Sequence, residues 1–238
     1  MMTNLNEVEI QRRYYSETAG QYDAMHLDEN DEHFFALSFL LGALDYLKIR
    51  SILDIGSGTG RAIRYIKEHR PELRVVGIEP VRELREIGYA HGLSENELVD
   101  GDATALPFDA SSFDLVCEFG VLHHIRKPTG AVSEMLRVAG KVIFISDSNN
   151  FGHGSRTARM LKQAINFLGL WNLADMIKTR GKGYTLSEGD GLAYSYSVFN
   201  NYNQIRTQCR SIHLLNTRGG GVNPYTTADV VALLGIKK

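Results

Sequence analysis

What most constrains this chain is a change of hydrophobic period that recurs between Ser51 and Asp147. Ser51-Ile52-Leu53-Asp54-Ile55 is a short apolar run that stops at Gly56-Ser57-Gly58-Thr59-Gly60. The residues from Arg61 to His69 then follow a helical period until Pro71 ends it. The succession repeats, with strands expected over 74–79, 97–100, 113–118 and 141–147 and helices over 82–91 and 129–137. Strands interleaved with helices need right-handed crossovers, which build a mainly parallel sheet covered on both faces. The expected fold class is α/β.

Two helices are expected ahead of this alternation. The first runs from Thr3 to Glu17, capped by Thr3 or Asn4, with Leu5, Val8, Ile10 and Tyr14 on one face. The second runs from Asp31 to Leu47, where Phe34, Phe35, Leu37, Leu40, Leu41, Leu44 and Leu47 recur at helical steps and should be largely buried. From Asn149 to Val198 the alternation stops. Residues 155–180 read as helical with a break at Gly169, and 181–196 carry Gly, Ser and Tyr without a clear period. It resumes with a helix over 199–209 and strands over 212–216 and 229–236.

Composition narrows the function classes. A net charge of -2 over 238 residues removes the electrostatic case for a nucleic-acid partner, because phosphate contacts need a basic surface. Cys117 and Cys209 are too few and too far apart for a disulfide framework or a metal-binding pair. No apolar run is long enough for a signal peptide or a transmembrane span, so a cytoplasmic protein is expected.

Parallel sheets bind ligands beyond the C-terminal ends of their strands, so the residues just past each strand carry the functional information. The glycines at 56, 58 and 60 let a ligand approach the backbone where a helix presents free N–H groups. Glu79 follows about 20 residues later, where an acid can accept from both hydroxyls of an adenosine ribose. A dinucleotide fingerprint would want Gly or Ala at the position held by Arg61, which points to a nucleoside other than NAD.

LDIGSGTG at 53–60 resembles motif I of the class I S-adenosylmethionine (SAM) dependent methyltransferases, in particular the type 11 group that methylates small molecules. The resemblance continues in order through VVGIEP, GDATALPF at 101–108, SFDLVCEFGVLHHI at 112–125 and EMLRV. It implies a Rossmann-like sheet of seven strands whose last is antiparallel. It also implies SAM as cofactor and S-adenosylhomocysteine as product, and no metal is expected, because no second ligand cluster with fixed spacing accompanies His123 and His124. On the matching positions, Asp54 with Gly56 and Gly58 would hold the methionine part, Glu79 the ribose and Asp102 the adenine amine. Ser57, Pro80, Ala103, Glu118 and Phe119 fall within the same motifs. YYSETAGQYD resembles the segment that closes over the cofactor, with Tyr14, Tyr15 and Tyr22 as candidates. The family's longer LKPGG turn is reduced here to Ala139-Gly140, away from the expected site.

Methyl transfer to a hydroxyl requires a proton acceptor, and His123 and His124 just past the fourth strand are the candidates, with Glu118 and Asp147 next. Four segments are expected: an N-terminal helical cap over 1–48, a SAM-binding core over 49–148, an insertion over 149–198 that caps the substrate, and 199–238 completing the sheet. The insertion carries an apolar stripe (Met160, Leu161, Ile165, Leu168, Trp171, Leu173, Met176, Ile177) expected to pack on the core or a dimer partner. Arg156, Arg159, Lys162, Lys178, Arg180 and Lys182 around it favour an anionic small-molecule acceptor, with O-methylation preferred and the protein a monomer or homodimer. A nucleotide-dependent oxidoreductase would share the glycine loop and Glu79 but leaves the later motifs unexplained, and a non-catalytic partner subunit would need degenerate motifs.

Overall fold

In the computed structural model, which describes residues 6–26, 28 and 30–238, the chain opens with helices α1 (Glu7–Thr18), α2 (Tyr22–His26) and α3 (Glu32–Ala43). The alternation follows as β1 (Ser51–Ile55), α4 (Arg61–His69), β2 (Arg74–Ile78), α5 (Arg82–Ala90), β3 (Leu98–Val99), β4 (Phe113–Phe119), α6 (Pro128–Val138) and β5 (Ala139–Ser148). Then come α7 (Arg156–Phe167), α8 (Trp171–Lys178), β6 (Tyr184–Ser187), β7 (Gly191–Tyr194), α9 (Tyr202–Gln208), β8 (Cys209–Gly219), α10 (Pro224–Thr227) and β9 (Ala228–Lys237).

Seven strands form one sheet in the order β3-β2-β1-β4-β5-β9-β8, and β6 and β7 form a separate hairpin. The last strand, β9, runs antiparallel to both β5 and β8, so the other six share one direction. The order reverses between β1 and β4, and there the turns after the two strands diverge and leave a crevice. Strand alternation sorts the core: Leu53 and Ile55 join Met135 and Leu136 of α6 on one face, while Ile52 joins Leu37, Leu40 and Ile63 on the other. The shortened 139–140 turn is fully absorbed, because β5 begins at the residue after α6.

Several expectations change. The Thr3 and Asn4 caps and Leu5 lie outside the described residues; α1 is capped by Asn6, whose side chain accepts from Glu9 N while Glu9 reaches back to Asn6 N. In α3, Ala36, Leu37 and Leu40 are buried, as is Leu44 just past its end, but Phe35 is 50% exposed, since a helix lying on a sheet buries one stripe and not its full girth. The aperiodic stretch at 181–196 is the β6–β7 hairpin, and β8 is longer than the strand expected over 212–216. The break at Gly169, with φ of 71°, separates α7 from α8 as expected. The apolar stripe does not pack as a whole: Ile165 and Trp171 turn inward, whereas Met160 is 63% and Ile177 71% exposed, with Leu161, Leu168, Leu173 and Met176 also exposed. Among the described residues, no helix is long and apolar enough to cross a membrane.

The junction of the insertion with the sheet rests on Asn149. Its fully buried amide donates to the carbonyls of Pro224, Tyr225 and Ala228 at 2.9–3.1 Å, and its Oδ1 accepts from Ser197 Oγ at 2.8 Å. Replacement by Ala strands three carbonyls and a hydroxyl in a dry environment. Asn149→Ala should lower the unfolding free energy by at least about 2 kcal/mol in urea denaturation, and a change under about 0.5 kcal/mol would contradict this account.

Candidate active site

At the C-terminal edge of the sheet each functional side chain is placed by a strand end and held by the turn after it. Asp54 is the penultimate residue of β1 and is 3% exposed. Gly56 and Gly58 follow with φ of 65° and 55°, a region that favours glycine, and an added Cβ would run into Val121 at the first and the Tyr22 hydroxyl at the second. Glu79, just past β2, accepts from Gly58 N at 3.0 Å and from Val81 N at 2.9 Å, which ties the glycine loop to the second strand end. Burial pushes the carboxyls of both Asp54 and Glu79 up to about 7.

Past β3, Asp102 caps its own turn: Oδ1 accepts from Thr104 N and Oγ1, and Oδ2 pairs with Arg12 of α1 at 3.1 Å. Although partial burial opposes ionisation, these bonds hold its carboxyl below the usual range. At the end of β4, Glu118 is fully buried; Oε2 accepts from Val121 N at 2.8 Å and Oε1 has no partner. Burial and the neighbouring Asp147 push its carboxyl well up.

Three cavities run in series along this edge. The first, of about 430 Å³, lies over β2–β3 and is lined by Glu79, Pro80, Asp102 and Ala103 with Tyr15 and Tyr22. A small one of about 110 Å³ lies over the glycine loop between Asp54, Ser57, Arg61 and Phe119, again with Tyr15 and Tyr22. The third, of about 650 Å³, opens under the insertion and shares His26, His33, His123 and Asp190 with the small one. The expected site residues are thus brought to one crevice, with three exceptions. Gly58 lines none of these cavities and contributes its N–H to Glu79. Glu118 lies beneath the floor, buried on both sides by the parallel sheet. Tyr14 packs edge-on against Tyr15 but lies outside the cavities, and its hydroxyl donates to Glu188 C=O at 2.6 Å.

His123 and His124 sit on a single 3-10 turn after β4, and the structure gives them different surroundings. Asp147 of β5 holds that turn by accepting from Leu122 N at 2.7 Å and His123 N at 3.2 Å. His123 Nδ1 lies 2.7 Å from Asp147 Oδ1 and its Nε2 lies 3.2 Å from Asp190 Oδ2. Burial disfavours the imidazolium, but the two carboxylates overcome it and raise the pKa well above the ordinary value. A ring bonded at both nitrogens has no free lone pair, which removes His123 as a free base while it stands so paired. His124 Nδ1 is 2.6 Å from Leu192 C=O, which assigns the hydrogen to Nδ1 and leaves Nε2 to accept from the Tyr15 hydroxyl at 3.0 Å. Asp190 is the residue that sequence reasoning missed. It belongs to the three-residue loop Glu188-Gly189-Asp190 of the hairpin, and the Glu-Gly-Asp-Gly string with φ of 68° at Gly191 was the available turn signal.

Against known proteins, residues 53–143 match the family described as "Methyltransferase domain". The chain is 32% identical over 96 residues to norajmaline N-methyltransferase of Rauvolfia serpentina, covering 39% of this chain and 33% of that one. It is 34% identical over 88 residues to demethylmenaquinone methyltransferase of Roseiflexus castenholzii, covering 37% of each. The matched stretch therefore spans little more than a third of these curated relatives. Across nearly the whole chain the fold is similar to magnesium protoporphyrin IX methyltransferase of Synechocystis PCC 6803, solved with S-adenosylhomocysteine. That likeness has a TM-score of 0.62 and 13% identity, and covers 98% of this chain and 100% of that one. A SAM-dependent methyltransferase of Thermotoga maritima gives 0.60 at 18% identity, covering 95% and 99%.

The raised carboxyls carry a pH dependence of stability. An acid whose folded pKa is about 7 and whose unfolded value is about 4 contributes stability that is present at low pH and lost as pH rises through 7. In the ligand-free protein, unfolding free energy measured from pH 5 to 8 should therefore fall more steeply for the wild type than for Asp54→Asn. Parallel curves would mean that Asp54 is ionised throughout.

Proposed function

We propose, from the premise that this chain belongs to the class I SAM-dependent methyltransferases of type 11, that it transfers a methyl group from SAM to a hydroxyl of a small-molecule acceptor. The observation that carries this reading is the series of three cavities, in which one suited to a nucleoside adjoins the small one at Tyr15, Tyr22 and Gly56, and the small one meets a larger chamber at His123 and Asp190. The residues fit the cofactor. Two buried carboxyls at the glycine loop, both raised by burial, are suited to an ammonium and to ribose hydroxyls, and the backbone at Gly56 leaves no room for a side chain.

In this reading Asp54 accepts from the methionine ammonium and Arg61, which shares the small cavity, faces its carboxylate. Glu79 accepts from the ribose, and Pro80, Asp102 and Ala103 border the adenine. Tyr15 and Tyr22 close the cofactor in, their hydroxyls kept protonated by burial. SAM supplies an activated methyl on its sulfonium, so the chain has only to align the acceptor, exclude water and receive a proton.

Asp190 fits the proton-receiving role better than either histidine alone, because it lines both the small and the large chamber. Burial works against its ionisation, yet the hydrogen bond from His123 and the neighbouring imidazoles hold it well below the usual carboxylate range, so that it stands as the anion. His123 with Asp147 behind it orients the carboxylate and stabilises the charge. The 149–198 insertion acts as the substrate cap through its hairpin and α8, which supply Asp175, Lys178, Tyr184 and Asp190 to the large chamber. Only Lys178 of the six basic residues around the stripe lines that chamber, with Arg218 paired to Glu32, against Asp31, Asp175, Asp190 and Asp229, so a neutral, hydroxyl-bearing acceptor fits it better than an anion. The two buried, unpaired thiols agree with a cytoplasmic setting.

Calorimetry with S-adenosylhomocysteine tests the cofactor half. Glu79→Gln should weaken binding by on the order of 10- to 100-fold, equivalent to about 1.5–3 kcal/mol for bonds to a charged group. Asp190→Asn tests the other half: with a turned-over acceptor it should lose roughly 100-fold in kcat while S-adenosylhomocysteine affinity is kept. Full turnover in that variant would place proton removal elsewhere.

A further inference from the structure

We propose that His123, His124 and Asp190 form a site for one divalent transition-metal ion of the zinc class, at the junction of the two chambers. The three side chains present one donor each within 4.8 Å of one another. Asp190 Oδ2 lies 3.2 Å from His123 Nε2, and Asp190 Oδ1 lies 3.4 Å from His124 Nε2. Ligands about 2.0–2.1 Å from a tetrahedral metal stand about 3.3 Å apart, which the two imidazole–carboxylate distances match.

The surroundings of the two imidazoles strengthen the case. Metal-bound histidines hold their second nitrogen on a carboxylate or a backbone carbonyl, which fixes the tautomer and aims the lone pair. His123 Nδ1 is held by Asp147 Oδ1 at 2.7 Å, and His124 Nδ1 by Leu192 C=O at 2.6 Å. Both Nε2 atoms are thereby directed to the same carboxylate. Sequence neighbours do not ordinarily point the same way, yet on this 3-10 turn the two rings lie tilted against each other, 3.9 Å between centroids and 48° between planes. His26 lines the same small cavity as His123 and Asp190, and its Nε2 is buried without a hydrogen-bond partner.

Two imidazoles and one carboxylate from three side chains suit Zn²⁺, Fe²⁺ or Co²⁺ and leave coordination positions free. A cation there takes the place of the His123–Asp190 hydrogen bond. Its use rests on the methyltransferase reading. An acceptor hydroxyl coordinated at an open position would release its O–H proton to solvent water in the large chamber more readily, and its oxygen would then form an O–C bond as the S–C bond of SAM breaks to leave S-adenosylhomocysteine. Oxidation states do not change.

The test is binding, which does not depend on the acceptor. Chelator-treated protein is titrated with Zn²⁺ against a chromophoric chelator and with Co²⁺ followed by its d–d absorption. The expected result is one equivalent bound with submicromolar affinity, a Co²⁺ spectrum of four- or five-coordinate intensity, and a melting temperature raised by Zn²⁺. Asp190→Asn and His124→Ala should each weaken Zn²⁺ on the order of 100-fold, and His213→Ala, an exposed histidine of β8, should not. The wild-type cobalt spectrum decides the matter even if a variant fails to fold. A spectrum of the hexaaqua ion, or affinity unchanged in Asp190→Asn, overturns the proposal. S-adenosylhomocysteine binding measured on the same chelator-treated sample shows separately whether the methyltransferase reading stands.

Discussion

Buried carboxylates at the ends of parallel strands, each accepting from amides of its own turn or of the neighbouring strand's turn, are the interactions on which the rest of this molecule depends. Glu79 takes the N–H groups of Gly58 and Val81, Glu118 that of Val121, and Asp147 those of Leu122, His123 and Ser148. Parallel strands end with their backbone directed into the crevice and no hairpin partner to receive the next amides. Acids at these ends satisfy the turns and fix their conformation. The cost is desolvation, visible in the raised pKa values of Asp54, Glu79 and Glu118.

This fixed edge is closed from two directions. On one side, α1 is tied to the insertion hairpin: Gln11 Oε1 accepts from Leu192 N, and Glu7 takes both the Tyr194 hydroxyl at 2.7 Å and Arg126 at 2.8 Å. The other side is the insertion itself, joined to the sheet through Asn149. Tyr15 and Asp190 meet at His124 because these two attachments converge on the turn after β4. The stable sheet positions the two chambers, and the chain segments with fewer buried contacts form their walls.

The motifs on strand ends were legible because local sequence decides them. A glycine that must adopt positive φ, an acid placed at a strand's last residue and a helix that starts after the turn are all written within a few positions, and the family resemblance added the order of the motifs. Legibility failed where a residue's role depends on a distant partner. Tyr14 and Tyr15 are adjacent and chemically alike, yet α1 turns one to Glu188 and the other to the cavity. The stripe on α7 and α8 has a helical period that could belong to a buried face, but only its Ile165 and Trp171 reach the protein.

The sequence by itself determined the parallel sheet, the glycine loop, Glu79 at the second strand end and two histidines past the fourth, since hydrophobic period and turn chemistry act over fewer than about ten residues. Only the tertiary structure decided what those histidines can do. Their chemistry is set by Asp147 from the neighbouring strand and by Asp190, which follows His123 by 67 positions. A hydrogen bond forms wherever packing brings two groups within about 3 Å, and no local pattern encodes which distant loop the fold will deliver there.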